Sequence, residues 1–183
     1  MTNAVQAHTP ATIELRVETL NALFDALDPF PTPTRDLAPS AETFIVEWAR
    51  EAPKDALLRI VVHAPSAQAG NPDAQYLSVA MARHFSAKAG HARRDLRDLL
   101  RMGRTYLAIG VLALGVCIGA SQIIASVVKD APLGRFLSEG LILLGWVANW
   151  RPLEVFLYDW RPLKAQQILY ERLARAPVSI AHE

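Results

Sequence analysis

The residues of this sequence that could carry chemistry are few and are not spaced for a familiar reaction. Its five histidines are His8, His63, His84, His91 and His182. They lack metal-ligand spacing, since even His84 and His91 lie seven residues apart with Gly90 between them. The chain contains no glycine-rich phosphate loop, no G-x-S-x-G sequence and no paired cysteines. We therefore expect no enzyme, no metal site and no bound cofactor, and we assign no catalytic residue.

The most distinctive segment is residues 150–163, WRPLEVFLYDWRPL, in which WRPL occurs twice. Trp150, Tyr158 and Trp160 are residue types that settle at the head-group boundary of a membrane, where the ring stays dry and its polar atom stays wet. One interpretation is an interfacial helix over residues 151–162, anchored by these three side chains.

A second interpretation extends a membrane span to about residue 158. Arg151 and Glu154 would then lie within the inner leaflet, where a charge is costly unless it is paired or lines a wet path. On this interpretation the two residues are candidates for an ion pathway. The sequence leaves both interpretations open.

Residues 150–160 also resemble a segment of a known group of proteins. A family of uncharacterised bacterial inner-membrane proteins with two spans carries a similar W-R-P-L-E-x-F-L-Y-D-W segment after its second span. The resemblance extends to Leu27-Asp28-Pro29 and Arg35-Asp36-Leu37 in the N-terminal half. It implies a two-span topology and brings no activity with it.

Two apolar segments predict a transmembrane hairpin. Residues 106–128 contain no charged side chain and, at ~1.5 Å per residue, can cross a hydrocarbon layer of ~30 Å as a helix. Residues 133–150 form a second, shorter segment that contains Glu139, and residues 129–132 link the two. Arginine and lysine are enriched on the outer flanks of this pair, so we expect both termini in the cytoplasm and the hairpin in a bacterial inner membrane.

Small and polar residues recur along one side of each predicted span, and small residues let membrane helices approach closely. In the first span they are Ala108, Gly115, Gly119, Gln122 and Ser126, and in the second they are Ser138, Gly145 and Asn149. These two sets can pair within one hairpin or between copies of the chain, and we expect both, with a homo-oligomer as the result. Cys117 is interpreted as a small packing residue, with a redox-sensing thiol as the alternative.

Residues 91–105 predict a basic amphipathic helix directly before the first span. Its arginines are Arg93, Arg94, Arg97, Arg101 and Arg104. They can recognise anionic lipid head groups, at roughly 1 kcal/mol per basic residue near the surface. Alternatively they are a topology signal, paired with Asp95 and Asp98 in the same helix. The net charge of the chain is only +1, which disfavours a nucleic-acid partner.

The rest of the sequence predicts a small α+β domain. Apolar and polar residues alternate, as in half-buried strands, over residues 13–18, 57–63 and 178–180. Helical spacing occurs over residues 39–51, 73–90 and 163–175.

A lone strand at the C-terminus is not stable, so we expect the three strands to form one sheet. Residues 13–90 and 163–183 would then make a single cytoplasmic domain into which the membrane hairpin is inserted. Residues 1–12 are expected to be a disordered N-terminus.

Two functional hypotheses follow from these features. The first is a non-enzymatic scaffold of the inner membrane, which self-associates through its spans and presents its cytoplasmic domain to itself or to a protein partner. The second is an oligomeric channel or an accessory subunit of a transport complex. Its pathway would lie near Arg151, Glu154, Asn149 and Gln122.

Overall fold

The structure is a computed structural model that describes residues 11–31, 34–66, 73–128 and 132–182, with the backbone alone for Asp73 and His182. The predicted disordered N-terminus (1–12) and link (129–132) lie almost entirely outside the described residues. The chain divides into two compact units. The first contains the described residues up to Ala92 and from Ala165 onwards, and the second is Arg93–Lys164.

A parallel sheet of three strands forms the centre of the first unit. In spatial order its strands are β1 (Ala11–Arg16), β2 (Leu58–Ala64) and β3 (Val178–His182). Ile13 of β1 pairs with Ile60 of β2, and Val62 of β2 pairs with Ile180 of β3. The three strands predicted from alternation are therefore confirmed and share one sheet, in which the C-terminal strand pairs with the second of the two N-terminal strands.

Helices make up most of the remaining described chain. They are a 3₁₀ helix (Leu20–Leu23), α1 (Pro39–Glu51), α2 (Asp73–Val127), α3 (Pro132–Val147), α4 (Trp150–Glu154), a π-helix (Val155–Asp159) and α5 (Trp160–Ala174). Pro39 suits the first turn of α1 because its missing N–H would have no partner there. A mainly helical chain with a small sheet is compatible with the predicted α+β class, while the transmembrane hairpin stays a prediction.

The core of the first unit lies between one face of the sheet and its helices. Ile60 and Val62 of the central strand are fully buried, together with Ile45 of α1 and Phe85 of α2. Phe85 stacks on Tyr170 of α5 with ring centroids 6.4 Å apart, within the ~4.5–7 Å that is typical of offset aromatic pairs. Each of these residues belongs to the series of apolar positions that faces one side of its strand or helix, so its burial follows from the sequence pattern.

Helix α2 is the longest element, with 55 residues from Asp73 to Val127. The predicted helix before Gly90, the basic helix over residues 91–105 and the first apolar segment are one continuous helix. This helix contains no proline, and Gly90, like each of its other four glycines, costs a helix only about 1 kcal/mol. The angular positions of side chains are therefore kept in phase from the arginines into the apolar run.

Helix α3 ends at Val147, before the predicted end of the second apolar segment at residue 150. Residues Ala148 and Asn149 form a turn, after which α4 begins at Trp150. Pro152 has no N–H to donate to the Ala148 carbonyl and its ring crowds that carbonyl, which accounts for the break. Pro162 of the second WRPL copy likewise follows an irregular stretch, the π-helix Val155–Asp159.

Candidate functional site

Helix α3 and the segment after it pack antiparallel to the second half of α2. A Cβ placed at Gly134 would lie 3.0 Å from the Val128 side chain, and one at Gly145 would lie 2.7 Å from Leu114 Cδ1. Farther along the chain, a Cβ at Gly103 would lie 2.7 Å from Val155 Cγ1. A side chain at any of these positions would collide with the neighbouring segment, so glycine allows the close packing.

The face of α2 in this contact differs from the predicted one. It carries Gly103, Gly110, Leu114, Cys117 and Ser121, spaced by seven, four, three and four residues. This spacing was visible in the sequence, yet its members are mixed in polarity and do not stand out as a small-residue motif. Cys117 lies half-buried beside Gly145, in agreement with a packing residue.

The predicted packing residues divide between two surfaces. Gly145 and Asn149 are buried in the contact with α2, and Ser138 is half-buried on α3. The five residues of the first set are instead exposed: Ala108, Gly115, Gly119, Gln122 and Ser126. A Cβ at Gly115 or Gly119 would meet nothing within 4 Å. The two predicted sets therefore do not pair with each other within one chain.

Asn149 joins the end of α3 to α2 through a buried polar contact. Its Nδ2 donates to the Gly110 carbonyl and to the Gly145 carbonyl, at 3.0 Å each, and the residue is 7% exposed. The Gly145 carbonyl precedes the end of α3, so the side chain satisfies an acceptor at the break in this helix. Asn149 thus fixes α3 at the level of Gly110.

Charged residues of the WRPL segment form a small network. Arg151 Nη1 lies 3.1 Å from Glu154 Oε2 and 3.3 Å from Asp159 Oδ2. The indole N–H of Trp150 donates to Glu154 Oε1 at 3.0 Å, and that of Trp160 donates to the Phe156 carbonyl at 2.9 Å. Asp159, which the sequence pattern does not single out, is the last residue of the π-helix and joins the network eight residues after Arg151.

The three predicted anchors remain largely outside the packed surface. Trp150 and Tyr158 are 66% and 64% exposed, and Trp160 is 36% exposed.

The five arginines of the basic segment are also exposed: Arg93, Arg94, Arg97, Arg101 and Arg104. Within the described part of the chain none of these five makes an ion pair, so the predicted pairing with Asp95 and Asp98 is not observed there.

A second polar cluster lies in the first unit and was not anticipated. His84 is 7% exposed, with its Nε2 3.1 Å from Glu42 Oε2 and its Nδ1 3.4 Å from Asp36 Oδ1. Lys88 Nζ is 2.9 Å from the other oxygen of Glu42. Burial acts to raise the pKa of Glu42, but the hydrogen bonds and charges of Lys88 and His84 outweigh it and lower the pKa below 4.5.

The two short pieces that carry the family resemblance in the N-terminal half meet beside this cluster. Asp28 accepts hydrogen bonds from the backbone N–H groups of Phe30 and Asp36, at 3.0 and 2.7 Å. These bonds lower the pKa of the Asp28 carboxyl. A shallow cleft of about 460 Å³ lies here, lined by Asp28, Phe30, Thr34, Asp36, Arg83, His84 and Ala87. Its carboxylates are already occupied by protein donors, which indicates a structural role for the loop.

No group of three or more histidine, cysteine or carboxylate side chains that could hold a metal ion occurs among the described residues. One helix in the described chain, Ala74–Val127, has the length and the apolar composition needed to cross a membrane.

Comparison with family models, with curated proteins and with solved structures gives no match to this chain.

Proposed function

We propose that this chain is a non-enzymatic scaffold of a bacterial inner membrane, with two spans that self-associate and both termini in the cytoplasm. The observation that carries the proposal is the exposure of α2. In the most apolar 18-residue window of this helix, only 11% of the residues are buried inside the chain. A core helix of a water-soluble protein would be mostly covered, whereas lipid covers an apolar surface of this kind.

The segment from α3 to Val155 is long enough for a second crossing even though α3 has only 16 residues. The contacts of this segment with the outgoing chain begin at Val128 and continue through Leu114 and Gly110 to Gly103. That length of α2 corresponds to roughly 37 Å at 1.5 Å per residue, which exceeds a hydrocarbon layer of ~30 Å. The turn at residues 148–149 therefore interrupts the helix without shortening the crossing.

The level of the WRPL segment favours an interfacial anchor. Asn149 bonds to Gly110, and Val155 lies beside Gly103, so Arg151 and Glu154 are level with the start of the apolar run at Tyr106. The side chains of Arg151 and Glu154 are 60% and 40% exposed, and a position at the head groups keeps their charges hydrated. The exposed Trp150 and Tyr158 lie at this level as well, which suits the amphipathic boundary.

Self-association is supported by the outward row of small residues. Gly115 and Gly119 leave open space on a helix face that α3 does not cover. Lipid offers no hydrophobic drive between helices, so close backbone approach and a hydrogen bond from Gln122 are the available sources of affinity. A second copy can use this face while the first unit remains free for a cytoplasmic partner.

The test is a set of glycine-to-leucine variants that differ only in what surrounds the glycine. Gly115→Leu and Gly119→Leu should lower the protein mass of the detergent-solubilised particle toward that of a single chain. Light scattering measures this mass. Gly140→Leu is the matched control, because its site is also open but lies on α3. A particle mass that is unchanged in the first two variants, or reduced equally in all three, would contradict self-association through α2.

The alternative, an oligomeric channel or transport subunit, rests on polar Gln122 being exposed within the apolar run. In this proposal copies of α2 surround a path, with Arg151 and Glu154 at its mouth. Purified protein in liposomes should then conduct ions, and Arg151→Gln or Glu154→Gln should change the selectivity. A scaffold predicts no flux and an unchanged particle mass for Glu154→Gln.

A further inference from the structure

The arginines and the exposed small residues lie on one face of α2. Following α2 from Arg94, residues of this face recur every three or four positions without a gap: Arg94, Arg97, Arg101, Arg104, Ala108, Val111, Gly115, Gly119, Gln122 and Ser126. This spacing averages close to 3.6 residues, so the row runs nearly straight along the helix. We call it the α2 row. Its phase is preserved because α2 is continuous.

The basic part of the α2 row is not neutralised within the described chain. Its four arginines are exposed and form no ion pair with any described residue. Asp95 and Asp98 fall outside the spacing of the row, each one position after one of its arginines. The face that approaches a second copy therefore carries positive charge at one end and small residues at the other.

Pairing through the α2 row brings these arginines together. Two copies inserted with the same topology pair in parallel, so Arg104 faces Arg104 and Arg101 faces Arg101. A row spaced by threes and fours favours packing at a small crossing angle, with axes about 8–10 Å apart. The Debye length at 0.1 M salt is also about 10 Å, so salt screens this repulsion only in part.

We propose that anionic phospholipid strengthens this assembly, with its phosphates lying between the arginines of two α2 rows. The inference rests on the proposed self-association and adds a ligand that stabilises it. Guanidinium groups suit this ligand because they bind phosphate oxygens through paired, charge-assisted hydrogen bonds. One phosphate can contact an arginine from each copy, which turns a repulsion into a bridge.

The position of the arginines selects lipid over soluble phosphate. Arg104 lies two residues before Tyr106, where the apolar run begins. Gly103, its neighbour, is in contact with Val155 and Phe156, so Arg104 is level with the segment that carries Trp150 and Tyr158. Head-group phosphates are concentrated at this boundary, and the aromatic side chains lie beside it.

The experiment uses the full-length protein with donor and acceptor dyes at its N-terminus, reconstituted in two kinds of vesicle. One contains phosphatidylcholine alone, and the other contains phosphatidylcholine with about one quarter phosphatidylglycerol. Energy transfer at several protein-to-lipid ratios gives the association constant. We expect wild-type protein to associate about tenfold or more tightly with phosphatidylglycerol present, in line with the attraction of basic residues to an anionic surface.

Two triple variants with equal loss of charge test the position of the arginines. R97Q/R101Q/R104Q removes the repulsion, so association in phosphatidylcholine should rise and the ratio between the two vesicles should approach one. R50Q/R59Q/R175Q changes three exposed arginines of the first unit and should keep the wild-type ratio. Inorganic phosphate added to phosphatidylcholine vesicles should not replace the lipid.

The outcomes separate the inference from the proposed function. Equal association of the wild type in both vesicles would overturn the role of anionic lipid and leave self-association standing. The role of anionic lipid is also overturned if both triple variants lose the difference between the vesicles, or if inorganic phosphate substitutes for the lipid. The proposed function itself would be overturned if the wild type associates in neither vesicle and Gly119→Leu leaves the mass of the detergent-solubilised particle unchanged.

Discussion

At the scale of single residues, the cluster around His84 joins three parts of the first unit. Asp36 lies in the loop before α1, Glu42 in the first turn of α1, and His84 and Lys88 in α2. A carboxylate buried to this degree would be destabilising without its partners, so the bonds to Lys88 and His84 must outweigh the cost of burial. The cluster therefore stabilises the unit while it also holds the loop.

Glu42→Gln should lower the free energy of unfolding at pH 7 by about 1–3 kcal/mol, because it removes two charge-assisted hydrogen bonds from a mostly buried site. The pKa of Glu42 is lowered on folding, so its contribution is fully present above its ordinary value of 4.5 and is lost as pH falls below that value. Urea unfolding of the full-length protein in detergent at pH 7 and pH 3 measures the difference.

The control for this prediction is Glu47→Gln, an exposed carboxylate of the same helix. It should change the stability by less than about 0.5 kcal/mol at either pH. A loss for Glu42→Gln that is as large at pH 3 as at pH 7 would show that the carboxylate charge is not responsible.

At the scale of elements, two faces of α2 have different surroundings. Gly103, Gly110 and Leu114 contact the chain's own returning segment. The α2 row lies on another side, where residues such as Gly115 remain open. Because the two faces do not overlap, a variant can weaken one contact without removing the other, and the packing within a chain can be separated from association between chains.

Asn149→Ala should loosen the contact between α2 and α3. It removes both hydrogen bonds of the Nδ2 group, at a cost of about 0.5–2 kcal/mol for an interhelical bond in a membrane. The free energy of unfolding in bicelles, measured at a dilution that keeps the chains apart, should fall by this amount. Thr105→Ala is the control, since the exposed Thr105 hydroxyl donates to the Arg101 carbonyl of its own helix. Equal losses in the two variants would remove the role assigned to Asn149.

At the scale of the whole molecule, the sheet constrains the topology. β3 comes from the C-terminus and pairs with β2, which precedes α2. These two strands must therefore lie in the same compartment if residues between them enter a membrane, so the number of outward crossings has to equal the number of return crossings. A two-span arrangement satisfies this condition.

Single cysteines in a Cys117→Ser background test this topology. Glu47→Cys and Ser179→Cys should react with a membrane-impermeant maleimide only after spheroplasts are lysed, since both positions belong to the first unit, which the proposed function places in the cytoplasm. Arg135→Cys, in the first turn of α3, should react in intact spheroplasts. Mass spectrometry of the labelled protein gives the extent of reaction. Labelling of either of the first two positions in intact spheroplasts would exclude the proposed orientation.

Part of this architecture was predictable because it depends on local pattern. The alternation around Ile13, Ile60 and Ile180 indicates strands whatever their partners are, and the apolar run of α2 is readable from composition alone. The need of a C-terminal strand for a partner also follows from general stability rules. The exposed arginines were found in the same way, because charge and helical spacing are properties of neighbouring residues.

The sequence by itself determined the elements and the residue types that each of them presents. Only the tertiary structure decided which face of α2 meets α3, because helix spacing defines several stripes and the contact geometry of both helices selects one of them. It also decided that His84 meets Glu42 across 42 residues of sequence and that Asp159 reaches Arg151 across a π-helix. Such contacts depend on how elements are placed in space, and no local pattern encodes that placement.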